Sequence, residues 1–347
     1  MPVTPRVVPL RLSLLDLAVA RSGQPVGEAL EASVALARQA DATGRFARLW
    51  FAEHHNMSSI TSAATSVLLA HVAARTERIR VGSGGVMLPN HSPLVVAEQF
   101  GTLAELHPGR IDLGLGRAPG TDQVTMRALR TDPRAADRFP EDVRELQGYL
   151  ADESLVPGIH AYPGRGTRVP LYVLGSSLFG ARLAAAYGLP YAFASHFAPD
   201  ALRPAVAAYR AEFVPSEQLA EPYVVAAANV VAADDHAEAA ALADRVLRSR
   251  VRMLGARALP GQPLDDDVVD VLLDGPVGAQ ARHMLTHTVV GDVDQVASGL
   301  AAFRAEADAD EVMVTNPAPE LEQRQTALRL LAEIAEPVDG LVPAGAV

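Results

Sequence analysis

The 347-residue chain contains no cysteine, and this absence excludes several kinds of site at once. A chain without cysteine forms no disulfide, uses no thiolate nucleophile and holds no cysteine-ligated metal or iron–sulfur cluster. Clusters of basic residues are also lacking, and the formal net charge is −11. Because a basic surface supplies most of the affinity for nucleic acid, we expect no nucleic-acid partner. The same shortage disfavours binding to an anionic membrane.

Apolar runs long enough to span a bilayer are absent as well. The stretch from Val7 to Ala20 could be mistaken for a secretory signal, but Arg11 and Asp16 interrupt it, so we expect a cytoplasmic protein. With 49% hydrophobic and 20% charged residues, the composition is that of a globular protein with a sizeable core. We expect a single domain over residues 1–347, frayed after about residue 336.

Short apolar runs alternate with longer amphipathic runs, which is typical of repeated βα units. The apolar runs predict eight strands, at residues 10–15, 48–52, 79–84, 111–115, 171–174, 191–194, 223–230 and 311–314. Helical patterns follow them at residues 27–43, 62–75, 92–106, 138–151, 178–187, 200–213, 234–258 with 292–306, and 319–335. This count predicts an α/β fold of the (β/α)8 TIM-barrel type, because a doubly wound sheet more often stops at about five or six strands.

Two predicted connections are too long for ordinary βα loops, namely residues 117–170 after strand 4 and about 256–290 after strand 7. Both would lie at the face of the barrel where active sites form. The second is rich in Pro, Gly and Asp and has little apolar material before Val268. We expect it to be a mobile lid, and the alternative is an ordinary surface excursion.

The ends of the predicted strands carry the candidate site. Strand 2 ends in EHHN at residues 53–56, which suggests a metal, but strands 3, 4 and 5 end in glycine, arginine and serine, so we expect none. Glycines on strands 3 and 4 leave room for a flat group. Arg117, with Ser176 and Ser177 at a helix start, would bind an anion. These residues alone indicate a flat ligand with a phosphate, a description that flavin mononucleotide (FMN) fits.

Four segments resemble the bacterial luciferase-like flavin monooxygenase family: RLWFAEHHN at 48–56, residues 78–122, LYVLGSS at 171–177 and DADEVMV at 308–314. The resemblance runs from about Leu10 to Ala332. It implies an oxidoreductase that binds reduced FMN, reacts with O2 to form a C4a-hydroperoxide and passes one oxygen to a small organic substrate. Because no dinucleotide fingerprint follows a strand, we expect a separate flavin reductase to supply the reduced flavin.

The resemblance assigns a catalytic role to His54, which matches a histidine beside the flavin ring. An imidazole there could shuttle a proton. The alternative is a structural histidine bonded to a carboxylate such as Glu53, whose expected role is to orient a neighbour. His55 is expected to be structural. His196, at the end of strand 6, could touch substrate or satisfy only a local hydrogen bond.

The resemblance assigns cofactor binding to five further residues. Gly84 and Gly85 match the place of a non-proline cis peptide bond beneath the flavin, and the alternative there is a bulge between packed strands. Arg117 matches a phosphate-binding arginine, and the alternative is a surface charge. Ser176 and Ser177 could cap a helix, contact the phosphate, or do both.

Two helices carry apolar stripes at helical spacing, Val67, Leu68, His71 and Val72 on helix 2 and Val95, Val96, Phe100 and Leu103 on helix 3. Such stripes usually face the core. In the resembled family these helices also form a dimer contact, so we expect a homodimer. A dehydrogenase or reductase that uses the deazaflavin F420 is the nearest alternative function, mildly disfavoured by the acidic charge and the scarcity of lysine. A flavin-binding protein without turnover is the other. Neither light emission nor the substrate follows from the resemblance.

Overall fold

The computed structural model describes residues 9–338 except Pro119 and Pro133. Within these residues the strands are β1 Leu12–Asp16, β2 Phe46–Phe51, β3 Arg80–Met87, β4 Ile111–Gly116, β5 Leu171–Gly175, β6 Tyr191–Phe193, β7 Val224–Ala232, β8 Thr288–Gly291 and β9 Glu311–Thr315. The α-helices are α1 Val26–Thr43, α2 Thr65–Ala73, α3 Pro93–Leu106, α4 Gln123–Ala128, α5 Phe139–Ala151, α6 Leu178–Ala186, α7 Leu202–Glu212, α8 His236–Ala258, α9 Asp266–Leu273, α10 Pro276–Met284, α11 Val293–Glu306 and α12 Leu321–Ile334.

Eight of these strands close into a parallel barrel. Each of β1 to β6 pairs with the next strand along the chain, β6 pairs with β7, β7 pairs with β9, and β9 pairs back with β1. The strands are buried on both faces, which is why they read as continuous apolar runs such as the fully buried β7. The predicted (β/α)8 barrel is confirmed.

The ninth strand, β8, lies outside the barrel and was not predicted. The first part of β7 pairs with β9 as far as Asn229, and the rest of β7 pairs with β8, from Thr288 opposite Asn229 to Gly291 opposite Ala232. Strand β7 is therefore longer than barrel closure requires, and its outer end carries an extra strand. With four residues, β8 is too short to stand out as a strand in the sequence.

The two long connections are both folded in part. The first contains α4 and the predicted helix α5. The second contains α9, α10 and β8, where the sequence predicts a weakly anchored loop. That expectation is wrong beyond Asp265, whose side chain caps α9 by accepting from the Val268 N–H at 3.0 Å. Val269 is fully buried and packs with Val251, Leu254 and Ala281 against α8 and α10. Its movement as a lid stays a prediction.

Side-chain caps fix where several of the outer helices begin. Asp235 accepts from the Glu238 N–H at the start of α8, and Asp292 and Gln295 form a reciprocal capping box at the start of α11. At the end of the described part, the Glu336 N–H donates to the carbonyl of Leu10 and the Val338 N–H to that of Gly44. Residues 339–347 lie outside the described part. None of the described helices is both long and apolar enough to cross a membrane.

The amino-terminal end of the barrel interior contains a buried network of charges. Arg48 on β2 donates to Glu311 through Nε at 2.8 Å and Nη2 at 3.1 Å, and to Asp112 through Nη1 at 2.8 Å. Arg80 on β3 donates to Asp112 through Nε at 2.9 Å. All four residues lie near the starts of their strands and are buried. The two cations therefore balance the two carboxylates inside the barrel.

Hydroxyl and indole groups complete this base network, a name we keep for the four charged residues and their partners. Tyr223 donates to Glu311 at 2.6 Å, and Ser13 donates to the same carboxylate. Trp50 donates its indole N–H to Asp112 at 3.1 Å, and Arg48 donates to the Tyr172 hydroxyl at 2.6 Å. Buried charges are tolerable when they are paired and their remaining hydrogen-bonding positions are filled, as they are here.

Candidate functional site

The candidate site is built on the carboxyl ends of the barrel strands, opposite the base network. His54 lies just beyond β2 and is half-buried. Its Nδ1 is 3.3 Å from the carbonyl oxygen of Gly120, in the connection after β4. Because a carbonyl oxygen only accepts, this contact puts the proton on Nδ1 and leaves the lone pair on Nε2.

The environment of His54 favours the neutral imidazole. Burial lowers the pKa of His54, and this effect exceeds the opposing effects of the Gly120 carbonyl and the charge of Glu53. No hydrogen bond joins Nε2 to any other residue in the described part of the chain. His54 therefore presents a ring nitrogen that can take up and return a proton.

The carboxylate of Glu53, directly before His54, is bound by two other histidines. Nε2 of His55 and Nε2 of His91 both donate to its Oε1, at 2.7 and 2.8 Å, and the Met87 N–H donates to Oε2 at 3.1 Å. Burial alone would raise the pKa of Glu53, but the contacts with His91, His55 and Met87 lower it. The alternative in which His54 hydrogen-bonds to Glu53 is therefore wrong, because the Glu53 carboxylate accepts from His55, His91 and Met87 instead.

The trio of Glu53, His55 and His91 is also the kind of cluster that can hold a metal ion. Its three ligand atoms lie within 4.8 Å of one another. Hydrogen bonds already account for this arrangement, since both imidazoles donate to one carboxylate oxygen. The trio joins the end of β2 to the 3-10 turn Leu88–Asn90 after β3 and so fixes the backbone on either side of His54.

The peptide bond between Gly84 and Gly85, near the end of β3, is cis, as predicted. A side chain at Gly84 would lie 2.8 Å from Leu15, and one at Gly85 would lie 2.8 Å from the carbonyl oxygen of Gly114 on β4. A side chain at either position would be too close to an atom of another strand, so close strand packing by itself explains the glycines. Contact of this backbone with a flat ring stays a prediction.

Arg117 and the start of α6 lie side by side. The guanidinium of Arg117 sits 4.1 Å from the ring centre of Phe179, which is in the first turn of α6. No carboxylate pairs with Arg117 among the described residues. Ser176 and Ser177 are exposed, and Ser177 is the N-cap residue, but its side chain makes no capping hydrogen bond. An arginine without a carboxylate partner next to an uncapped helix start can bind a phosphate.

His196 follows β6 at the same end of the barrel. Its ring packs edge to face on Phe197, and its Nδ1 is buried without a hydrogen-bond partner. Its backbone carbonyl accepts from the side chain of Asn229 at 2.7 Å. Burial is the main cause that lowers the pKa of His196 to about 3, and the charge of Arg250 and the electrostatic coupling to His54 add to it. The imidazole of His196 is therefore neutral at pH 7.

Three residues near the site were missed by the sequence analysis. Phe179 orients Arg117, and Asn229 ties the ends of β6, β7 and β9 together through His196 and Thr315. Arg250 on α8 is the third. Asn229 does leave a signal, because it is the one polar residue in the run VVAAANVVA. Arg250 leaves a weaker signal, as the middle of the three alternating arginines in RSRVR at residues 248–252.

The predicted site residues thus lie at the ends of four adjacent strands, β2 to β5. The structure brings Arg117 into contact with α6 through Phe179, and it joins His54 to the β4 connection through Gly120. It gives no direct contact of His54 with Gly84, Arg117 or the two serines among the described residues.

Comparisons with known proteins agree with this architecture. Residues 10–311 match the luciferase-like monooxygenase family. A luciferase-like monooxygenase of Escherichia coli (strain K12) is 45% identical over 333 residues, which cover 95% of this chain and 98% of that protein. The solved structure of apo-MsnO8 has a TM-score of 0.82 and 32% identity, and the match covers 95% of this chain and 99% of that one.

Two more distant structures share the fold alone. A type II Baeyer–Villiger monooxygenase from Pseudomonas putida, solved with FMN, has a TM-score of 0.70 at 17% identity and covers 95% of this chain and 97% of its own. An F420-dependent secondary alcohol dehydrogenase has a TM-score of 0.67 at 17% identity and covers 98% of this chain and 100% of its own. The fold therefore occurs with either cofactor.

Proposed function

The chain belongs to the luciferase-like monooxygenase family, and we propose that it uses reduced FMN and O2 to oxygenate a small organic substrate. The observation that carries the FMN assignment is Arg117, which stacks on Phe179 beside an uncapped helix start. A guanidinium and free N–H groups directed at one place suit the terminal phosphate of FMN. Reduced FMN, when bound, supplies the electrons that activate O2.

The other residues fit the remaining tasks. The backbone at Gly84 and Gly85 would support the flat ring at the end of β3. His54, neutral and held by Gly120 through Nδ1, would take up and return a proton at Nε2. The cap formed by α9, α10 and the last part of α8 would exclude water when it closes. The organic substrate itself is not identified by these residues.

The phosphate assignment is tested by titrating the protein with FMN and with riboflavin, which lacks the phosphate. Arg117→Ala should weaken FMN binding by about 1.5–3 kcal/mol and leave riboflavin binding nearly unchanged. Arg127→Ala, an exposed arginine on the nearby α4, is the matched control and should bind FMN like the unchanged protein. Equal affinities of the unchanged protein for FMN and riboflavin would refute the assignment.

The role of His54 is tested with the FMN-loaded protein. His54→Gln should bind FMN within about twofold of the unchanged protein, because His54 is not part of the phosphate site. Reoxidation of bound reduced FMN by O2 should lose its dependence on pH in this variant, since the titrating imidazole is gone. An unaltered pH profile would assign His54 to a structural role.

An F420-dependent oxidoreductase is the second candidate, because a dehydrogenase with this fold uses F420. That enzyme class transfers hydride and needs no O2. Titration with F420 under the same conditions separates the two. Tighter binding of F420 than of FMN, together with no consumption of O2, would favour the second candidate.

We also propose that the protein forms a homodimer through α2 and α3 and receives reduced FMN from a separate reductase. Most of the predicted stripe packs inward, but Val67 on α2 and Val95 on α3 are 70% and 44% exposed. Light scattering should give twice the chain mass, and Val67→Glu with Val95→Glu should give the monomer mass. A monomer before substitution would refute the dimer.

A further inference from the structure

The short connection from β4 to α4, residues 117–122, carries two parts of the proposed site. It begins with Arg117, and it includes Gly120, whose carbonyl oxygen lies 3.3 Å from Nδ1 of His54. Among the described residues, the His54 ring has no other hydrogen bond. The carbonyl of Gly120 is therefore the group that decides which ring nitrogen carries the proton.

Three further hydrogen bonds hold this part of the chain against the end of β2. The His55 N–H donates to the same Gly120 carbonyl at 3.5 Å, and the Thr121 hydroxyl donates to the His55 carbonyl at 3.1 Å. Asn56 donates to the hydroxyl of Thr125, in α4, at 3.0 Å. Because these bonds join both segments at several points, the carbonyl of Gly120 is held in one position beside the imidazole.

The position of Gly120 depends on the absence of a side chain. Its φ of 64° lies in the left-handed region, and a Cβ there would be 3.0 Å from the Glu53 carbonyl oxygen and from Met87 Cγ. The methionine side chain can move, but the Glu53 oxygen belongs to the backbone directly before His54. A side chain at position 120 would therefore push the connection away from β2. The contact of 3.3 Å is already long, so a further shift of roughly 0.3 Å would break it.

We propose that Gly120 is a positioning residue that keeps the proton of neutral His54 on Nδ1 and so leaves Nε2 free to accept a proton. The two neutral forms of an imidazole differ in which nitrogen carries the hydrogen, and a single acceptor beside one nitrogen selects between them. The Glu53 carboxylate does not take this role, since its oxygens accept from two other histidines and a backbone N–H. The inference rests on the proposed function only in giving the free Nε2 a part in the reaction.

The test reads the tautomer of His54 by nitrogen NMR. The cofactor-free protein is labelled with nitrogen-15 in its histidine rings and measured at about pH 8, where a neutral ring predominates. The His54 signals are those missing from His54→Gln. The Nδ1–H form should predominate in the unchanged protein. Gly120→Ala should lower the ratio of the Nδ1–H to the Nε2–H form roughly two- to tenfold, as expected for loss of one neutral hydrogen bond.

Gly158→Ala is the matched control. Gly158 lies between α5 and β5, its φ of 76° is also left-handed, and a Cβ there would meet nothing within 4 Å. This variant has similar backbone strain without a contact to the site, so its tautomer ratio should match that of the unchanged protein. Gly120→Asn replaces Gly120→Ala if that variant does not fold, because asparagine tolerates the left-handed region but still adds a Cβ. Equal ratios in Gly120→Ala and Gly158→Ala, or a predominant Nε2–H form in the unchanged protein, would overturn the proposal.

Measurements with FMN separate this result from the proposed function. In the FMN-loaded protein, Gly120→Ala should slow the consumption of O2, and Gly158→Ala should leave its rate unchanged. An altered tautomer ratio with an unaltered rate would overturn the positioning role. A protein that binds no FMN would refute the proposed function, and the NMR ratio would still decide whether Gly120 sets the tautomer.

Discussion

The two ends of the barrel differ in the polar groups that they leave without a partner. At the amino-terminal end, Arg48, Arg80, Asp112 and Glu311 are buried, and each has a charged partner. Among the described residues, His196 at the carboxyl end has a buried nitrogen without a hydrogen bond, and Arg250 on α8 has no carboxylate partner. Both regions lie in the same barrel, so the difference does not come from the fold class.

The difference separates groups that stabilise the fold from groups that are open to a ligand. A buried network whose charges are all paired stabilises the strands, and removing one member leaves its partner as an unpaired buried charge. An unsatisfied group contributes nothing to the fold and leaves a position for a ligand. Substitutions at the base should therefore cost stability, and substitutions at the mouth should change binding or pH dependence.

Glu311→Gln should have the largest effect. It removes one carboxylate from the base network and leaves Arg48, whose side chain is 5% exposed, with a single anion shared with Arg80. The free energy of unfolding, measured in urea at pH 7, should fall by about 3–5 kcal/mol. Glu333→Gln, which breaks a surface pair with Arg329, is the control and should cost less than about 1 kcal/mol.

The pH dependence of the same variant gives a second check. Burial raises the pKa of Glu311, but Arg48 and the other donors outweigh it and lower that pKa below its ordinary value. The stabilisation is therefore complete above about pH 4.5, the ordinary glutamate value, and is lost as the pH falls through the lower folded value. Glu311→Gln should lack this acid-dependent loss, and an equal loss in both proteins would contradict the network.

Tyr223→Phe should have the next largest effect. The Tyr223 hydroxyl donates to Glu311 at 2.6 Å, and phenylalanine removes this donor without removing the ring. A hydrogen bond to a charged group contributes about 1.5–3 kcal/mol, and the free energy of unfolding should fall by that amount. Tyr162→Phe, at an exposed tyrosine, is the control. Equal effects of the two changes would show that Glu311 does not depend on its hydroxyl partners.

His196→Gln should change the pH dependence of stability. Because the pKa of His196 is lowered to about 3 in the folded protein, the unfolded chain binds the proton first as the pH falls below about 6.5. Stability is thus lost between about pH 6.5 and pH 3, and about 2 kcal/mol of that loss falls between pH 7 and pH 5. Because glutamine does not titrate, the free energy of unfolding of His196→Gln should fall by about 2 kcal/mol less than that of the unchanged protein between pH 7 and pH 5.

Urea unfolding at pH 7 and pH 5 measures this difference. Besides burial, Arg250 and His54 influence the pKa of His196, so both residues stay unchanged in the comparison. His160→Gln, at an exposed histidine, is the control and should keep the full loss. A variant whose stability follows the unchanged protein at both pH values would mean that His196 titrates normally.

Arg250→Met should have the smallest effect. Removing a sheltered cation that has no partner relieves its desolvation, and methionine fills a similar volume. The free energy of unfolding should change by between zero and a gain of about 1 kcal/mol. A loss comparable to that in Glu311→Gln would end the contrast between the two ends of the barrel.

Much of the fold followed from the sequence for a local reason. Each βα unit carries its own apolar strand and amphipathic helix, so the alternation predicts the eight barrel strands without any knowledge of their pairing. The same logic put His54 and Arg117 at strand ends, where the structure finds them. The cis bond at Gly84–Gly85 came from the resemblance, not from any local pattern.

The missed elements are those that depend on distant partners. Strand β8 exists because β7 continues past the barrel and offers it an edge. Helices α9 and α10 exist because Val269 and Ala281 pack on α8. A short segment that is stabilised by such contacts has little periodicity of its own, so its sequence reads as a loop.

The stretch RSRVR on α8 shows most clearly how local sequence patterns and contacts between distant segments contribute separately to the structure. The helical repeat alone separates Arg250 from Arg248 and Arg252, and that much the sequence determined. Which face of α8 would meet aspartates was decided by the packing of α9, which supplies Asp266 and Asp270 on one side. Local spacing supplies Arg248 with Asp244 four residues earlier, but the pairing with Asp266 and Asp270 depends on what packs against α8 in three dimensions.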